Sequence, residues 1–143
     1  RGWLAGHRVG GVVVVPATGF IDVVVAAGDY LGCGVIDELV LHTPLVLDEH
    51  TATDIQISVA AADPAGQRLF SVHARTSAGH AAGTGWVLHA SGALSPQQPP
   101  AGEPPFLAGP LTSIDSEDFY RLLSERGLSY GPPFNSVCAI GQG

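Results

Sequence analysis

Residues 12–32 read VVVVPATGFIDVVVAAGDYLG, and the period of their apolar residues changes at Pro16. Before it, a run of β-branched valines favours pleated backbone, and the proline, with no N–H to give a ladder, ends the strand. After it, Phe20, Val23, Val24, Ala27 and Leu31 recur at helical steps, with Thr18 as candidate N-cap and Gly32 or Gly34 as the stop. The pattern predicts a strand over residues 3–16, entered through Trp3 and Leu4, and then a helix of about three or four turns. Valine is a poor helix former, so this helix needs burial on most of its sides to persist. A helix wrapped by a sheet meets that need.

Four segments with strand-like alternation follow, at residues 35–47, 53–62, 67–77 and 85–95, separated by turn-forming stretches such as ADPAG (62–66) and SAGHAAGTG (77–85). They predict an antiparallel meander and an α+β fold class. Residues 96–110 hold six of the eleven prolines and read as an extended linker or strap. A second helix comes next, capped by Ser116 or Asp115, with Phe119, Leu122 and Leu123 on one face, Arg126 in its last turn and Gly127 as its stop. The acidic run at 115–118 is a solvated helix start. The domain plan is thus one unit over 1–95, a linker over 96–112, and the start of a second unit over 113–143.

Bulk composition narrows the function classes. Hydrophobic residues make up 45% of the 143 and charged residues 13%, which suits a buried core and excludes a disordered tail. No apolar run approaches the roughly 20 residues of a membrane span, and the start shows no signal-peptide core, so a cytoplasmic address and no membrane partner are expected. The net charge of −7, with six arginines and no lysine, lacks the cationic stripe a nucleic acid requires. Cys33 and Cys138 are too few for a disulfide framework or zinc site and are expected as buried thiols. His42, His50, His73, His80 and His89 fit no motif and are expected at the surface or on strand faces.

Two separated motifs carry a family resemblance. The first is H-x3-G-x4-P, formed by His7, Gly11 and Pro16; the second is GLSYGPPF, with Gly127, Tyr130, Gly131, Pro132 and Phe134 in place and Leu128 where a tyrosine is usual. In this order, with a proline-rich connector between them, they resemble the N-terminal half of the dehydratase domains of modular polyketide synthases. The resemblance spans essentially the whole chain. It implies a double hotdog fold, two central helices each wrapped by a curved antiparallel sheet, of which this chain holds the first and the start of the second. It also implies a catalytic Asp in a D-x3-Q or D-x3-H motif on the second helix, and no such motif follows Phe134.

The implied reaction removes water from a 3-hydroxyacyl thioester carried on the phosphopantetheine of an acyl carrier protein, with no cofactor bound by the domain itself. It needs a base at C2, an acid at the C3 hydroxyl and donors at the thioester oxygen. His7 suits the base, since an imidazole is substantially neutral near pH 7. Gly11, lacking a side chain, would let its N–H approach the thioester oxygen; Pro16 would set the turn from strand to helix; Tyr130 would stand at the site mouth. Asp22 occupies the position of the acid in single-hotdog dehydratases but is expected to be structural here. The implied partners are the carrier protein, with Arg8 or Arg1 as a local basic spot, neighbouring synthase domains and a second copy of the chain. Two alternatives remain open at this point: a self-contained single-hotdog dehydratase, hydratase or thioesterase dimer using His7 with Asp22, and a non-catalytic hotdog scaffold. Double-bond isomerisation or pyran-forming cyclisation, reactions of closely related domains, also stays open.

Overall fold

The computed structural model describes residues 2–48, 50–76, 85–96, 102 and 110–142. The chain forms two compact units, one of residues 15–99 and one that joins residues 1–14 to residues 100–143.

In the first of these, helix α1 (Ala17–Tyr30) lies against a four-stranded antiparallel sheet of order β3-β7-β6-β5, where β3 is Val35–Leu41, β5 Thr53–Val59, β6 Arg68–Thr76 and β7 Val87–Ser95. A short strand β4 (Val46–Leu47) precedes β5. The helix begins directly after Pro16, whose extended backbone takes the N-cap position, so Thr18 lies inside the first turn instead of capping it. Proline has no side-chain acceptor, so no side chain caps this end, and the Gly19 N–H bonds to the Pro16 carbonyl at 2.9 Å. Gly32, at φ +71°, ends it. Phe20, Val24 and Gly28 form one buried stripe, while Ile21, Asp22 and Tyr30 are exposed. Burial on most sides is therefore not what holds this helix here; one stripe against one sheet face is.

That stripe joins Cys33, Leu45, Phe70, Val72, Ala74, Ala90 and Leu94 in the core. On β6 the buried residues Phe70, Val72 and Ala74 alternate with less buried neighbours, as a two-residue side-chain period demands. The expected strand over 35–47 is broken between β3 and β4, around Pro44, which cannot donate to a ladder. The expected meander is also revised: β5, β6 and β7 follow one another, but β3 pairs with the far side of β7, Leu39 opposite Gly92. Residues 42–52 separate β3 from β5, too long a link for a tight hairpin. Gly92 faces a bulge between Ile36 and Glu38, where an added Cβ would run into the Glu38 carbonyl.

In the second unit, strand β1 (His7–Val9) pairs antiparallel on one side with β2 (Val12–Val14) and on the other with β9 (Leu128–Tyr130). The single strand expected over 3–16 is thus a 3-10 turn at Leu4–Gly6 and then a hairpin. Gly10 and Gly11 form its two-residue turn at φ +57° and +83°, a geometry that twists with the flanking strands and excludes most other residues. Helix α2 (Ser116–Glu125) is capped by Asp115, whose carboxylate accepts from the N–H of Glu117 at 2.7 Å. Gly127, at φ +84°, stops it as expected. A further antiparallel pair joins β8 (Thr112–Ile114) to β10 (Ile140–Gln142). The expected proline-rich strap lies outside the described residues except at Pro96, Gly102 and Pro110.

Candidate active site

The two sequence motifs meet in one sheet. The register sets His7 opposite Tyr130, and one residue earlier the Gly131 N–H donates to the Gly6 carbonyl at 2.7 Å. Side chains are excluded at that crossing: a Cβ built on Gly131 would stand 3.0 Å from the Gly6 Cα. The chain then enters a 3-10 turn at Pro132–Phe134 that returns the Phe134 ring to 5.3 Å from the His7 ring; Tyr130 lies 5.4 Å away. Trp3 extends this aromatic wall, 5.8 Å from Phe134.

On the other side of β1, His7 Nδ1 lies 2.8 Å from the carbonyl oxygen of Val14. A carbonyl only accepts, so Nδ1 is the donor, and in the neutral form of the ring the lone pair is at Nε2. The ring is half-buried, walled by two aromatics and fixed in one tautomer by a backbone atom. Such a ring can take a proton from a bound molecule without first having to reorient.

A family model described as "Polyketide synthase dehydratase domain" matches residues 1–75. The chain belongs to that family. Its sequence is 43% identical over 145 residues to mycoketide-CoA synthase of Mycobacterium tuberculosis, covering 98% of this chain and 3% of that polypeptide. Among solved structures it is similar to the dehydratase domain from the terminal module of the rifamycin polyketide synthase, with 34% identity and a TM-score of 0.85 over 99% of this chain and 51% of that one. The erythromycin dehydratase matches at 35% identity and a TM-score of 0.82, over 99% and 53% of the two chains. This polyketide synthase dehydratase chain thus spans about half the length of those structures and a small part of the synthase, and its α+β elements are those of part of a double hotdog.

Of the residues expected at the site, the structure brings His7 and Tyr130 together. Gly11 sits in the exposed hairpin turn, at the opposite end of β1 from His7, where its positive φ explains the glycine. The register does not bring its N–H beside the imidazole. Pro16 begins α1 in the other unit, and Asp22 is exposed on that helix. Arg8 folds back on its own hairpin, donating from Nε to the Ala5 carbonyl and from Nη1 to the Gly11 carbonyl, each at 3.1 Å; Arg1 lies outside the described residues.

One expectation about other residues is corrected, that of Cys138. His89 lies on a strand face, one of the two expected settings, and there it is buried at 6% exposure: its Nδ1 hydrogen-bonds the Thr43 carbonyl at 2.8 Å and its ring stacks on Phe20. A β-strand position facing the helix stays apolar in character when one backbone acceptor satisfies the imidazole. Cys33 is buried as expected, but Cys138 is exposed, in the irregular stretch before β10. His42, with Nε2 2.8 Å from Ser91 Oγ, and His50 are exposed; His73 is half-buried on β6; His80 lies outside the described residues. No group of side chains suited to a metal ion occurs among the described residues, and none of their helices is long and apolar enough to cross a membrane.

Sequence reasoning passed over Gly6, Trp3 and Tyr120. Gly6 precedes the first motif, and only the pairing with Gly131 shows why it lacks a side chain. Tyr120 reads simply as a residue of an amphipathic helix, yet its ring stands edge-on to Tyr130 with centroids 6.3 Å apart.

Proposed function

We propose that this chain supplies the base-bearing half of a hydro-lyase that dehydrates a 3-hydroxyacyl thioester during polyketide assembly. The observation that carries the reading is the His7 ring, with Nδ1 bonded to the Val14 carbonyl, Nε2 left for a substrate, and Tyr130 and Phe134 as walls, in a chain of the dehydratase family.

His7 Nε2 takes the proton at C2, the C–H electron pair becomes the second bond between C2 and C3, and the C3–O bond breaks. The Nδ1–H to Val14 bond holds the ring in place as it becomes an imidazolium and shares its new charge. The aromatic wall keeps bulk water from that side of the imidazole, and Tyr130 is the motif residue positioned to touch substrate there. Gly11 serves the site indirectly, through the hairpin turn, and Pro16 sets the turn from strand into helix. An Asp in the half of the dehydratase fold that this chain does not span protonates the departing hydroxyl, so that water leaves. The domain binds no cofactor of its own; the substrate arrives on the phosphopantetheine of an acyl carrier protein. Neighbouring synthase domains, a second copy of the chain and a cytoplasmic setting complete the assembly.

The test uses the full-length polypeptide carrying this sequence, with a carrier-protein-bound 3-hydroxyacyl thioester followed by mass spectrometry for loss of one water. His7→Ala should lower kcat by about 10²–10⁴-fold, the range expected for removing a positioned base. Turnover at the wild-type rate would overturn the assignment and favour a non-catalytic scaffold.

A further inference from the structure

Tyr120 belongs to neither motif, yet its hydroxyl is bonded on both sides. It accepts from the Val137 N–H at 2.9 Å and donates to the Phe134 carbonyl at 3.4 Å. One oxygen of α2 thereby fixes the chain on both sides of Asn135 and Ser136, a stretch with no regular secondary structure. The Tyr120 ring meets Tyr130 edge-on, at 77° between planes. Both residues that wall the His7 ring, Tyr130 and Phe134, are therefore in contact with this one side chain.

Among the described residues the backbone of the turn that carries Phe134 has few other hydrogen bonds, although its ring also packs on Trp3 and Tyr130. Pro132 and Pro133 contribute no N–H. Phe134 N–H bonds to Gly131 and Asn135 N–H to Pro132, both within the turn itself. Upstream the turn is tied to β1 through Gly131 and Gly6; downstream the Tyr120 hydroxyl is the tie to α2. Losing the second tie leaves the Phe134 ring held by the first and by its packing on Trp3 and Tyr130, and so loosens it against His7.

Resting on the reading of His7 as the base, we infer that Tyr120 is a positioning residue whose hydroxyl holds the Phe134 turn, and so the aromatic wall, against the His7 imidazole. It touches neither substrate nor the reacting nitrogen. Its effect reaches the reaction only through the placement of the ring that walls His7.

The experiment compares the full-length polypeptide with its Tyr120→Phe and Tyr120→Leu variants. Tyr120→Phe removes the hydroxyl and keeps the ring; Tyr120→Leu removes both. Two readouts are taken at fixed pH: hydrogen–deuterium exchange at the His7 C2–H, by mass spectrometry of its peptide, and kcat and KM for dehydration. For Tyr120→Phe the expectation is a His7 exchange half-life shortened about threefold and a kcat about tenfold lower, with KM changed less than about twofold. Wild-type exchange and kcat in Tyr120→Phe would overturn the inference, even if Tyr120→Leu is impaired, because the ring alone would then suffice. Loss of the folded state in Tyr120→Phe would also overturn it, by making the residue one of general stability. If the wild-type polypeptide performs no dehydration, the functional reading falls, while the exchange of His7 still decides the role of Tyr120.

Discussion

Replacing Gly6 by alanine tests the crossing that joins the two motifs. Gly6 does not sit at a positive φ, so alanine meets no backbone penalty there, and the whole cost is steric. The new Cβ would lie 3.2 Å from the Gly131 Cα, 3.3 Å from its nitrogen and 3.4 Å from Phe134 Cδ2. Two of these neighbours are backbone, which yields only if β9 shifts. Overpacking of this kind costs about 1–3 kcal/mol, and the lower chain entropy of unfolded alanine returns about 0.4–1 kcal/mol, leaving a net loss near 1–2 kcal/mol. Gly2→Ala, with nothing within 4 Å of its Cβ, is the control that should show no loss. The assay is urea denaturation with parallel kcat measurement. Activity should fall more than stability suggests, because a shift of Gly131 moves Tyr130 and Phe134 against His7, and misplacement by about 1 Å costs up to 10²-fold in rate. A Gly6→Ala protein as stable and active as wild type would refute the claim that this close approach sets the site.

Two further substitutions probe the unit that carries α1. Val24→Ala removes a fully buried side chain from the middle of the helix stripe and should destabilise by about 2–3 kcal/mol in urea titration; a change below about 1 kcal/mol would mean that the stripe is not what fixes the helix. Gly92→Ala places a Cβ into the Glu38 carbonyl and 2.9 Å from Phe70 Cε1. It should cost about 3 kcal/mol or more and lower the soluble yield of folded protein, whereas a folded variant of normal stability would show that the β3 bulge can relax.

The change of period at Pro16 made α1 legible, and the alternation of Phe70, Val72 and Ala74 made β6 legible, because both signals are local. Most of what stayed hidden depends on partners far along the chain. The valine run read as one strand because the Gly-Gly step, itself a two-residue hairpin signal, was passed over in favour of the continuous β-branched pattern. A turn there with two positive φ values makes Val12 the partner of Val9. The place of β3 beside β7 was hidden because alternation marks a strand but not its neighbour. At the site, His7 and Tyr130 were visible through their motifs, while Gly6 and Tyr120 were not. Their roles exist only once residues more than a hundred apart lie side by side, as Gly6 does with Gly131, or once a helix is set against the turn that follows it, as with Tyr120 and Phe134.

The glycine pair beside the valines now has a physical reason. A two-residue turn at Gly10 and Gly11 sets Val9 opposite Val12 and Arg8 opposite Val13, and so delivers the Val14 carbonyl to His7 Nδ1. A longer turn would offer a different carbonyl or none, and the tautomer that leaves Nε2 bare would lose its lock. Strand β1 can be as short as three residues because it is held from both edges, by β2 through that turn and by β9 through the Gly6–Gly131 crossing. Each edge gives the imidazole something different: β2 fixes where its proton sits, and β9 with the following turn fixes what surrounds the ring. A histidine fixed at only one edge would have either a defined tautomer in an open setting or an aromatic wall around a freely turning ring. The pairing of the two motifs across β1 supplies both conditions at one side chain.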